Sequence, residues 1–329
     1  MRRCIQLARN GQMTAPPNPM VGAVVVCDGR IIGEGYHVRC GEGHAEVNAL
    51  RSVRSEDEHL LPQSTIYVSL EPCAHYGKTP PCAKLIVEKK LRRCVVGCID
   101  PFSKVQGRGV EILRHAGIEV TVGVLEDECQ ELNKRFFTFH TLKRPFITLK
   151  WAQTCDGFID YPPSPEGRQL IISNHLTRMI CHKRRAEHQA ILVGRNTIET
   201  DKPTLNVRYW NGQDPLPVIL GHRENLSSVN LNMTREPLFC TTIEEVITTL
   251  YDRGIQSLLV EGGARTLQSF IDRGLWDEAF VETSPQRIGN GVAAPRLHGE
   301  KPLNTAQYLE NTIDSFCKSN CEYFNCEYF

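Results

Sequence analysis

The chain has 329 residues, of which 41% are hydrophobic and 23% are charged, a composition typical of globular domains. Its 38 basic and 38 acidic residues cancel, so it lacks the basic excess of a nucleic-acid-binding protein. It also contains no run of 18 apolar residues that would predict a membrane span, and its start, MRRCIQLARNG, does not resemble a signal peptide. We therefore expect a cytoplasmic protein of two domains with neither nucleic acid nor membrane as a partner, whose 14 cysteines are mainly reduced or metal-bound.

Strand and helix signals alternate through the first half. A short helix ends at Gly11, the apolar run at 21–26 predicts a buried strand, and Asp28-Gly29 predicts a hairpin turn. The other predictions for this half are a returning strand at 31–35, a helix at 44–51, a loop at 55–63, strands at 65–70, 94–97 and 119–122, and helices at 84–90, 107–116 and 126–140. This alternation predicts an α/β layered domain.

Three residues of the first half form a candidate zinc site. His44 belongs to a His-Ala-Glu motif, Cys73 follows Pro72, and Cys82 ends a Pro-Pro-Cys motif. One imidazole and two thiolates are a normal zinc ligand set with an open fourth position. Glu46 is placed to move protons beside the metal, as in the zinc-dependent nucleobase deaminases. We also expect Cys73 to open the next helix, whose N-terminus would favour the thiolate.

The spacing departs from the usual deaminase signature, because eight residues rather than two separate Cys73 from Cys82. An ordinary histidine and two buried cysteines are the structural alternative. Two nearby polar residues each have a functional and a structural interpretation. Asn18 could bind a base edge or a phosphate, or be a turn residue, and Lys78 suits an anionic substrate group or is simply solvated.

The second half begins with a change of character at 143–146, and we place the domain boundary between 143 and 144. Predicted strands lie at 147–151, 190–193, 217–220, 257–260 and 279–282, and predicted helices at 174–185, 243–251 and 266–272. This rhythm predicts a mostly parallel sheet with helices on both faces. The Gly-Gly loop at 261–266 suits a phosphate at a helix start, although a plain tight turn explains it as well.

The chain ends in FCKSNCEYFNCEYF, residues 316–329, where NCEYF occurs twice. Cys317, Cys321 and Cys326 could suggest a second metal site. No histidine or Cys-x-x-Cys spacing supports such a site, so a tail or an edge strand is favoured.

These segments together resemble the bifunctional deaminase/reductase family of riboflavin biosynthesis. The matching segments are PPNPMVGAVVV, HAEVNAL, SLEPCAHYGKTPPC, DPFSKVQGRGVEIL, KWAQTCDGFI, AILVGRNTIETDKPTLNVR and VEGGARTL. That family carries the longer gap between its cysteines. The resemblance implies a cytidine-deaminase-like three-layer α/β/α domain at 1–143 and a dihydrofolate-reductase-like α/β domain at 144–329.

The resemblance implies two enzymatic activities. The first is zinc-dependent hydrolytic deamination of 2,5-diamino-6-(5-phosphoribosylamino)pyrimidin-4-one. The second is NADPH-dependent reduction of the ribosyl group of the product to ribityl. A homo-oligomer is also expected, because two-domain enzymes of this kind often pair their reductase halves.

The resemblance also implies roles for individual residues. His44, Cys73 and Cys82 would ligate zinc, and Glu46 would be the proton shuttle. The residues expected around the pyrimidine are Asn18, His75 and Lys78. The residues expected to face NADPH are Ala152, Ile159, Leu170, Thr197, Asp201, Gly263, Ala264, Arg265, Thr266 and Leu267. The residues expected to face the reductase substrate are Arg168, Arg185, Leu205, Arg208 and Glu261. Arginines suit a ribose phosphate, and Leu170 departs from the family, which commonly has an aromatic residue there.

Two other functions stay open at this point. A nucleobase or tRNA deaminase with a non-catalytic second half predicts no NADPH binding. A structural zinc or regulatory binding module needs a closed site of four ligands, for which His75 or Cys40 could supply the fourth. That module would leave Glu46 without a role.

Overall fold

The computed structural model describes residues 1–75, 80–102, 106–162, 169–226 and 232–318. These residues form two compact units that divide between Lys143 and Arg144. Within those ranges we find no helix with the length and apolarity that a membrane span requires.

The first unit combines one sheet with helices. Its strands are β1 Gly22–Cys27, β2 Arg30–Tyr36, β3 Thr65–Leu70, β4 Arg93–Cys98 and β5 Glu119–Val122. Its α-helices are α1 Arg2–Ala8, α2 Ala45–Arg51, α3 Cys82–Glu88, α4 Arg108–His115, α5 Glu126–Leu132 and α6 Lys134–Leu142. Short 3-10 helices span Arg9–Gly11 and Ser55–Gln63.

The sheet of this unit has the strand order β2-β1-β3-β4-β5. β1 runs antiparallel to β2 and β3, whereas β3, β4 and β5 are parallel. The predicted hairpin joins β1 to β2, and Asp28 and Gly29 both have positive φ as a tight primed turn requires. α2, α3 and α4 share one hydrophobic core with the sheet, and α1, α5 and α6 contribute to another. The unit is therefore a three-layer α/β/α sandwich.

Two local predictions for segments of the first unit outside the candidate zinc site are wrong. Residues 55–63 form a 3-10 helix rather than a loop, because Leu61 is buried and Asp57 is held by Arg30 at 2.6 and 2.9 Å. The helix expected at 126–140 is two helices that meet at Asn133. The side chain of Asn133 bonds instead to the backbone of Met20.

The second unit is built on an eight-stranded sheet. The strands of the unit are β6 Phe146–Thr154, β7 Phe158–Asp160, β8 Ala190–Gly194, β9 Leu216–Leu220, β10 Leu238–Cys240, β11 Ser257–Gly262, β12 Glu278–Ser284, β13 Val292–Ala293, β14 Asn304–Tyr308 and β15 Asn311–Cys317. Of these, β7 and β13 form a separate two-stranded sheet. Its helices are α7 His175–Ala186, α8 Arg195–Asp201, α9 Ile243–Asp252 and α10 Ala264–Asp272, with a 3-10 helix at Arg223–Leu226.

The order of the large sheet is β10-β9-β8-β11-β6-β12-β15-β14. The strands from β10 to β12 are parallel, and β15 and β14 are antiparallel. The predicted mostly parallel sheet is thus confirmed. Of the segment 316–329, for which a tail or an edge strand is expected, Phe316 and Cys317 end β15, which is not at the edge because β14 pairs with it. Residues 319–329, with Cys321 and Cys326, lie outside the described residues.

Alternation along β6 separates two environments in this unit. Ile147, Leu149 and Trp151 pack in the core that α9 and α10 complete. Side chains at alternate positions of a strand point to opposite faces, so Lys150 and Ala152 lie on the other face. Lys150 and the α7 residue Cys181 line one small cavity on that face.

Candidate active sites

The three predicted zinc ligands converge in the first unit. The Nδ1 atom of His44 lies 3.5 Å from the Cys73 sulfur and 3.4 Å from the Cys82 sulfur. All three candidate donor atoms are within 4.8 Å of one another. His44 precedes the first residue of α2, Cys73 lies beyond the end of β3, and Cys82 is the first residue of α3. Three elements therefore bring together residues that are far apart in sequence.

The donor set fits a zinc ion. With zinc bonds of about 2.1 Å to nitrogen and about 2.3 Å to sulfur, tetrahedral geometry separates the two ligand atoms by about 3.6 Å. The observed separations of 3.5 and 3.4 Å are close to that value. No fourth histidine, cysteine or carboxylate joins the group among the described residues. Three protein ligands are the number that a catalytic zinc site supplies, with water or substrate in the fourth position.

Cys73 does not open a helix as predicted. α3 begins instead at Cys82, which follows Pro81. The expected electrostatic benefit is nevertheless present, since the backbone N–H of Cys82 donates to the Cys73 sulfur at 3.3 Å. A hydrogen bond from the Cys82 thiol lowers the pKa of Cys73 to about 4, against the effect of burial, and the same bond raises the pKa of Cys82. A metal ion bound between the two sulfurs would displace their protons.

Glu46 lies beside this cluster in the first turn of α2 and is only 3% exposed. Burial, followed by the negative charge of Cys73, raises the pKa of Glu46 to about 7. A carboxyl group with a pKa near neutrality can both accept and release a proton at physiological pH. Its position and its chemistry suit the proton shuttle expected from the sequence.

The structure describes two of the three residues that are expected around the pyrimidine, namely Asn18 and His75. The Asn18 amide lies 3.1 Å from Nε2 of His37, whose ring packs edge-on against that of His44 with centroids 5.4 Å apart. His75 is exposed, and Lys78 lies outside the described residues. The sequence analysis did not identify His37, which is 3% exposed and contacts both Asn18 and Gly43.

A cradle of small and hydroxyl residues lies where β8 and β11 end in the second unit. Gly262 and Gly263 approach the side chain of Thr197, and Gly194 approaches that of Thr266, so closely that an added Cβ would contact these side chains. Gly263 has a φ of 74° immediately before α10. The structure thus brings together three of the residues expected to face NADPH, namely Thr197, Gly263 and Thr266.

Arg185 and Glu261 face each other on α7 and β11. Nη2 of Arg185 donates to Oε2 of Glu261 at 2.6 Å, and Nε donates to Oε1 at 2.9 Å. Arg185 also donates to the carbonyl of Asn206 at 3.1 Å, and Arg208 donates to the Asn206 side chain at 2.9 Å. Three of the residues expected to face the substrate therefore lie in one neighbourhood.

Lys150 is a site candidate that the sequence analysis missed. Burial opposes its positive charge, but Cys181, Glu261 and Glu282 favour the charge and raise the pKa of Lys150. It lines a cavity of about 10 Å³ with Glu282, which is roughly the space of one water. A lysine within the apolar run FITLKW was the available signal, because buried lysines are rare unless paired.

The other residues expected to contact the cofactor or the reductase substrate differ in how exposed they are. Ala152 and Ile159 are partly buried, Asp201 and Arg265 are exposed, Ala264 begins α10, and Leu170 donates its N–H to Asp160 at 3.3 Å. Arg168 lies outside the described residues. The side chains of Leu205 and Leu267, which are expected to contact ligands, are 2% and 1% exposed in hydrophobic cores. Only backbone atoms remain available at those two positions.

Comparison with protein families identifies both halves. Residues 1–98 match the cytidine and deoxycytidylate deaminase zinc-binding region, and residues 145–323 match the RibD C-terminal domain. Riboflavin biosynthesis protein RibD of Aquifex aeolicus is 39% identical over 89% of this chain and 88% of its own length. The protein of the same name from Bacillus amyloliquefaciens is 35% identical over 91% and 87%.

Solved structures agree over nearly the whole chain. A diaminohydroxyphosphoribosylaminopyrimidine deaminase/5-amino-6-(5-phosphoribosylamino)uracil reductase from Thermotoga maritima superimposes with a TM-score of 0.85 and 36% identity, covering 96% of this chain and 97% of the other. RibD of Acinetobacter baumannii gives a TM-score of 0.83 and 31% identity, with the same coverage. These matches confirm the predicted fold class of both halves.

Proposed function

This chain belongs to the RibD family of riboflavin biosynthesis proteins, and we propose that it carries out both reactions of a bifunctional deaminase/reductase. Residues 1–143 form the deaminase domain and residues 144–329 the reductase domain. The first domain hydrolytically deaminates 2,5-diamino-6-(5-phosphoribosylamino)pyrimidin-4-one. The second reduces the ribosyl group of the product to ribityl with NADPH. The observation that carries the proposal is the zinc-sized cluster of His44, Cys73 and Cys82 with buried Glu46 beside it.

Deamination needs an activated water and a group that moves protons. His44, Cys73 and Cys82 would hold zinc, which supplies a water with a pKa near neutrality when it is bound. Glu46 accepts a proton from the attacking water at its carboxylate and delivers it to the departing ammonia. Its pKa of about 7, raised by burial, supports both transfers.

Recognition of the pyrimidine involves Asn18, His75 and Lys78. The Asn18 amide is oriented by His37 through its nitrogen, which leaves its oxygen to accept a hydrogen bond from the substrate. His75 is exposed and able to approach a ligand. Lys78 provides the positive charge that a substrate phosphate requires.

In the second domain, the cradle of Thr197, Gly263 and Thr266 would hold phosphates of NADPH, since glycines and hydroxyl groups at a helix start suit such anions. Ala152, Ile159, Leu170 and Asp201, together with Ala264, Arg265 and the backbone of Leu267, complete the proposed cofactor contacts. The cofactor supplies the hydride, and the reaction also consumes one proton. Lys150 is our candidate donor of that proton.

The proposed substrate contacts of the second domain include an ion pair that interacts electrostatically with Lys150. Arg168, Arg208 and the backbone of Leu205 join the pair of Arg185 and Glu261. Arg185 has its Nη2 and Nε committed to Glu261, so we assign to it mainly the orientation of that carboxylate. A carboxylate is suited to accept hydrogen bonds from ribose hydroxyl groups.

A coupled assay on the purified, zinc-loaded protein tests both reactions. The phosphoribosylated diaminopyrimidinone is supplied, and ammonia release and NADPH oxidation are followed together. We expect ammonia without NADPH, and NADPH oxidation only after ammonia has been released. Ammonia release without any NADPH oxidation would support the single-activity deaminase. The absence of both signals would support the binding module.

Three further properties belong to the proposal. The partner is a small molecule rather than a nucleic acid, as the balanced charge supports. We propose a homo-oligomer in the cytoplasm. Light scattering of the purified protein tests the oligomeric state, and a monomeric mass would refute the homo-oligomer. Fractionation of cells tests the location in the cytoplasm.

A further inference from the structure

The carboxylate of Glu71 gathers four backbone N–H groups. Its Oε2 accepts hydrogen bonds from Gly107 at 2.9 Å and Asp100 at 3.3 Å. Its Oε1 accepts from Gly109 at 2.8 Å and Val110 at 3.2 Å. Glu71 is only 4% exposed, so these bonds are not shared with bulk water. Neither the zinc site nor the reaction described above uses this group directly.

The arrangement follows from the topology of the sheet. Glu71 comes directly after β3, and Asp100 follows β4, which is the parallel neighbour of β3. The ends of parallel strands meet at one edge of a sheet, where ligand sites also lie. One carboxylate oxygen therefore binds the N–H groups of both Asp100 and Gly107, and the other oxygen binds the first turn of α4.

A carboxylate can accept all four hydrogen bonds, two at each oxygen. A glutamine would offer one acceptor oxygen and would turn its NH₂ group towards two N–H groups. An aspartate would keep the charge but lose one methylene of reach. Gly109 is part of the same contact, because a Cβ at that position would collide with the carbonyl oxygen of Pro72. The start of α4 thus packs directly on the backbone that connects Glu71 to Cys73.

Cys73 is held from its other side by α3. Its carbonyl accepts the N–H of Ala83 at 3.2 Å, and its sulfur accepts the N–H of Cys82 at 3.3 Å. The turn at residues 71–73 is therefore fixed between the starts of two helices. Glu71 supplies the attachment to one helix, and the cysteine itself supplies the attachment to the other.

We propose that Glu71 is a positioning residue that sets Cys73 for metal binding by fixing the turn at 71–73 to the start of α4. The segment SLEPC then supplies the carboxylate, and Asp100, Gly107, Gly109 and Val110 supply the N–H groups that this carboxylate binds. This inference rests on the proposed role of Cys73 as a zinc ligand. It assigns a purpose to a buried acid that lies outside the reaction itself.

The test compares zinc affinities of the full-length protein, measured by competition with a chromophoric chelator. We expect Glu71→Gln to bind zinc about 10- to 100-fold more weakly, the range found when groups that orient metal ligands are removed. The thiolate-to-metal absorption of the cobalt-substituted protein should shift as well, because the sulfur of Cys73 is displaced. NADPH oxidation with 5-amino-6-(5-phosphoribosylamino)uracil should stay unchanged.

Asp57→Asn is the matched control. Asp57 is also a buried carboxylate of the first unit, but it pairs with Arg30. It should reduce the stability of the unit without weakening zinc binding. Equal losses of zinc affinity in both variants would show that general destabilisation is sufficient and would overturn the proposal.

The remaining outcomes also decide the matter. If the wild type binds zinc and Glu71→Gln binds it equally well, the inference fails while the proposed function stands. If the wild type itself binds no zinc, the proposed function fails first. Should Glu71→Gln not fold by circular dichroism, Glu71→Asp replaces it, and wild-type zinc affinity in that variant overturns the proposal.

Discussion

Arg185 and Glu261 form a two-bond ion pair with oxygen–nitrogen separations of 2.6 and 2.9 Å. Their side chains are 12% and 9% exposed, so the pair is largely withdrawn from water. Breaking such a pair by removing one partner leaves an uncompensated buried charge, which is more harmful than replacing both. The pair therefore has a structural role as well as the proposed role in substrate binding.

Replacement of Arg185 by glutamine should destabilise the second unit by about 3 kcal/mol or more and abolish most of the reductase activity. Tryptophan fluorescence is a suitable probe of unfolding, because Trp151, Trp210 and Trp276 all belong to that unit. Arg273→Gln is the control. Nε of Arg273 lies 3.4 Å from Oε1 of Glu244, whose side chain is 67% exposed. Such an exposed ion pair contributes about 0–1 kcal/mol to stability. Equal effects of the two variants would contradict the prediction.

The same pair predicts a dependence of stability on pH. Burial alone would raise the pKa of Glu261, but Arg185 outweighs it and lowers the pKa to about 2. A lowered folded-state pKa contributes stability above the unfolded value of 4.5 and loses it as the pH falls towards 2. The free energy of unfolding of the second unit should therefore drop by about 3 kcal/mol over that range. Glu261→Gln should flatten this part of the curve, and an unchanged slope would refute the assignment.

Glu46→Gln separates catalysis from metal binding. The variant keeps the size of the side chain but cannot carry the proton, so ammonia release should fall by about 10²- to 10⁴-fold. Zinc content, measured by atomic absorption, and NADPH oxidation with the deaminated substrate should both persist. A fully active Glu46→Gln enzyme would exclude the proposed shuttle and would favour a structural role for the metal.

Removal of zinc should affect one activity only. Dialysis against a strong chelator is expected to abolish ammonia release and to leave NADPH oxidation intact, since the predicted ligands all lie in the first unit. Zinc added back should restore the lost activity. Cys40→Ser tests the closed four-ligand alternative. Cys40 is exposed, and we expect its replacement to leave zinc affinity unchanged.

Glu282→Gln should move the alkaline limb of the reductase pH profile to lower pH. Lys150 keeps its proton to high pH because Cys181, Glu261 and Glu282 counter the effect of burial on its pKa. Loss of one negative charge lowers that pKa again. The measurement is kcat/KM for NADPH oxidation against pH. Glu278→Gln is the control, since Glu278 is buried on the same strand but bonds to Thr148 at 3.0 Å, and an equal shift would argue against the specific effect.

Local signals in the sequence predicted correctly the elements whose geometry requires particular residue types. The hairpin at Asp28-Gly29 was correct because the turn type demands those residues. The helix start at Cys73 was wrong because both cysteines follow a proline, and local sequence does not distinguish the two positions. Tertiary contacts place the helix start at Cys82, whose backbone N–H donates a hydrogen bond to the sulfur of Cys73.

The candidate sites show the same division. The metal ligands were recognisable from residue type and order, whereas Lys150 and Glu71 were missed because their partners come from distant parts of the chain. Glu71 bonds to N–H groups 29 to 39 positions further on. A motif match also gives no direction for a side chain, and the side chain of Leu267 lies in the core of the second unit.

The strand order of the second unit has a consequence for synthesis on the ribosome. β6, the first strand to emerge, pairs with β11 and β12, and β12 is covered in turn by β15, which ends at Cys317. The sheet of the first unit is complete at Val122. A nascent chain can therefore finish its first domain while the second still lacks its partners. A stop before β15 would leave the long edge of β12 open to pairing with other chains, so premature termination near the end is expected to produce aggregates rather than a shortened enzyme.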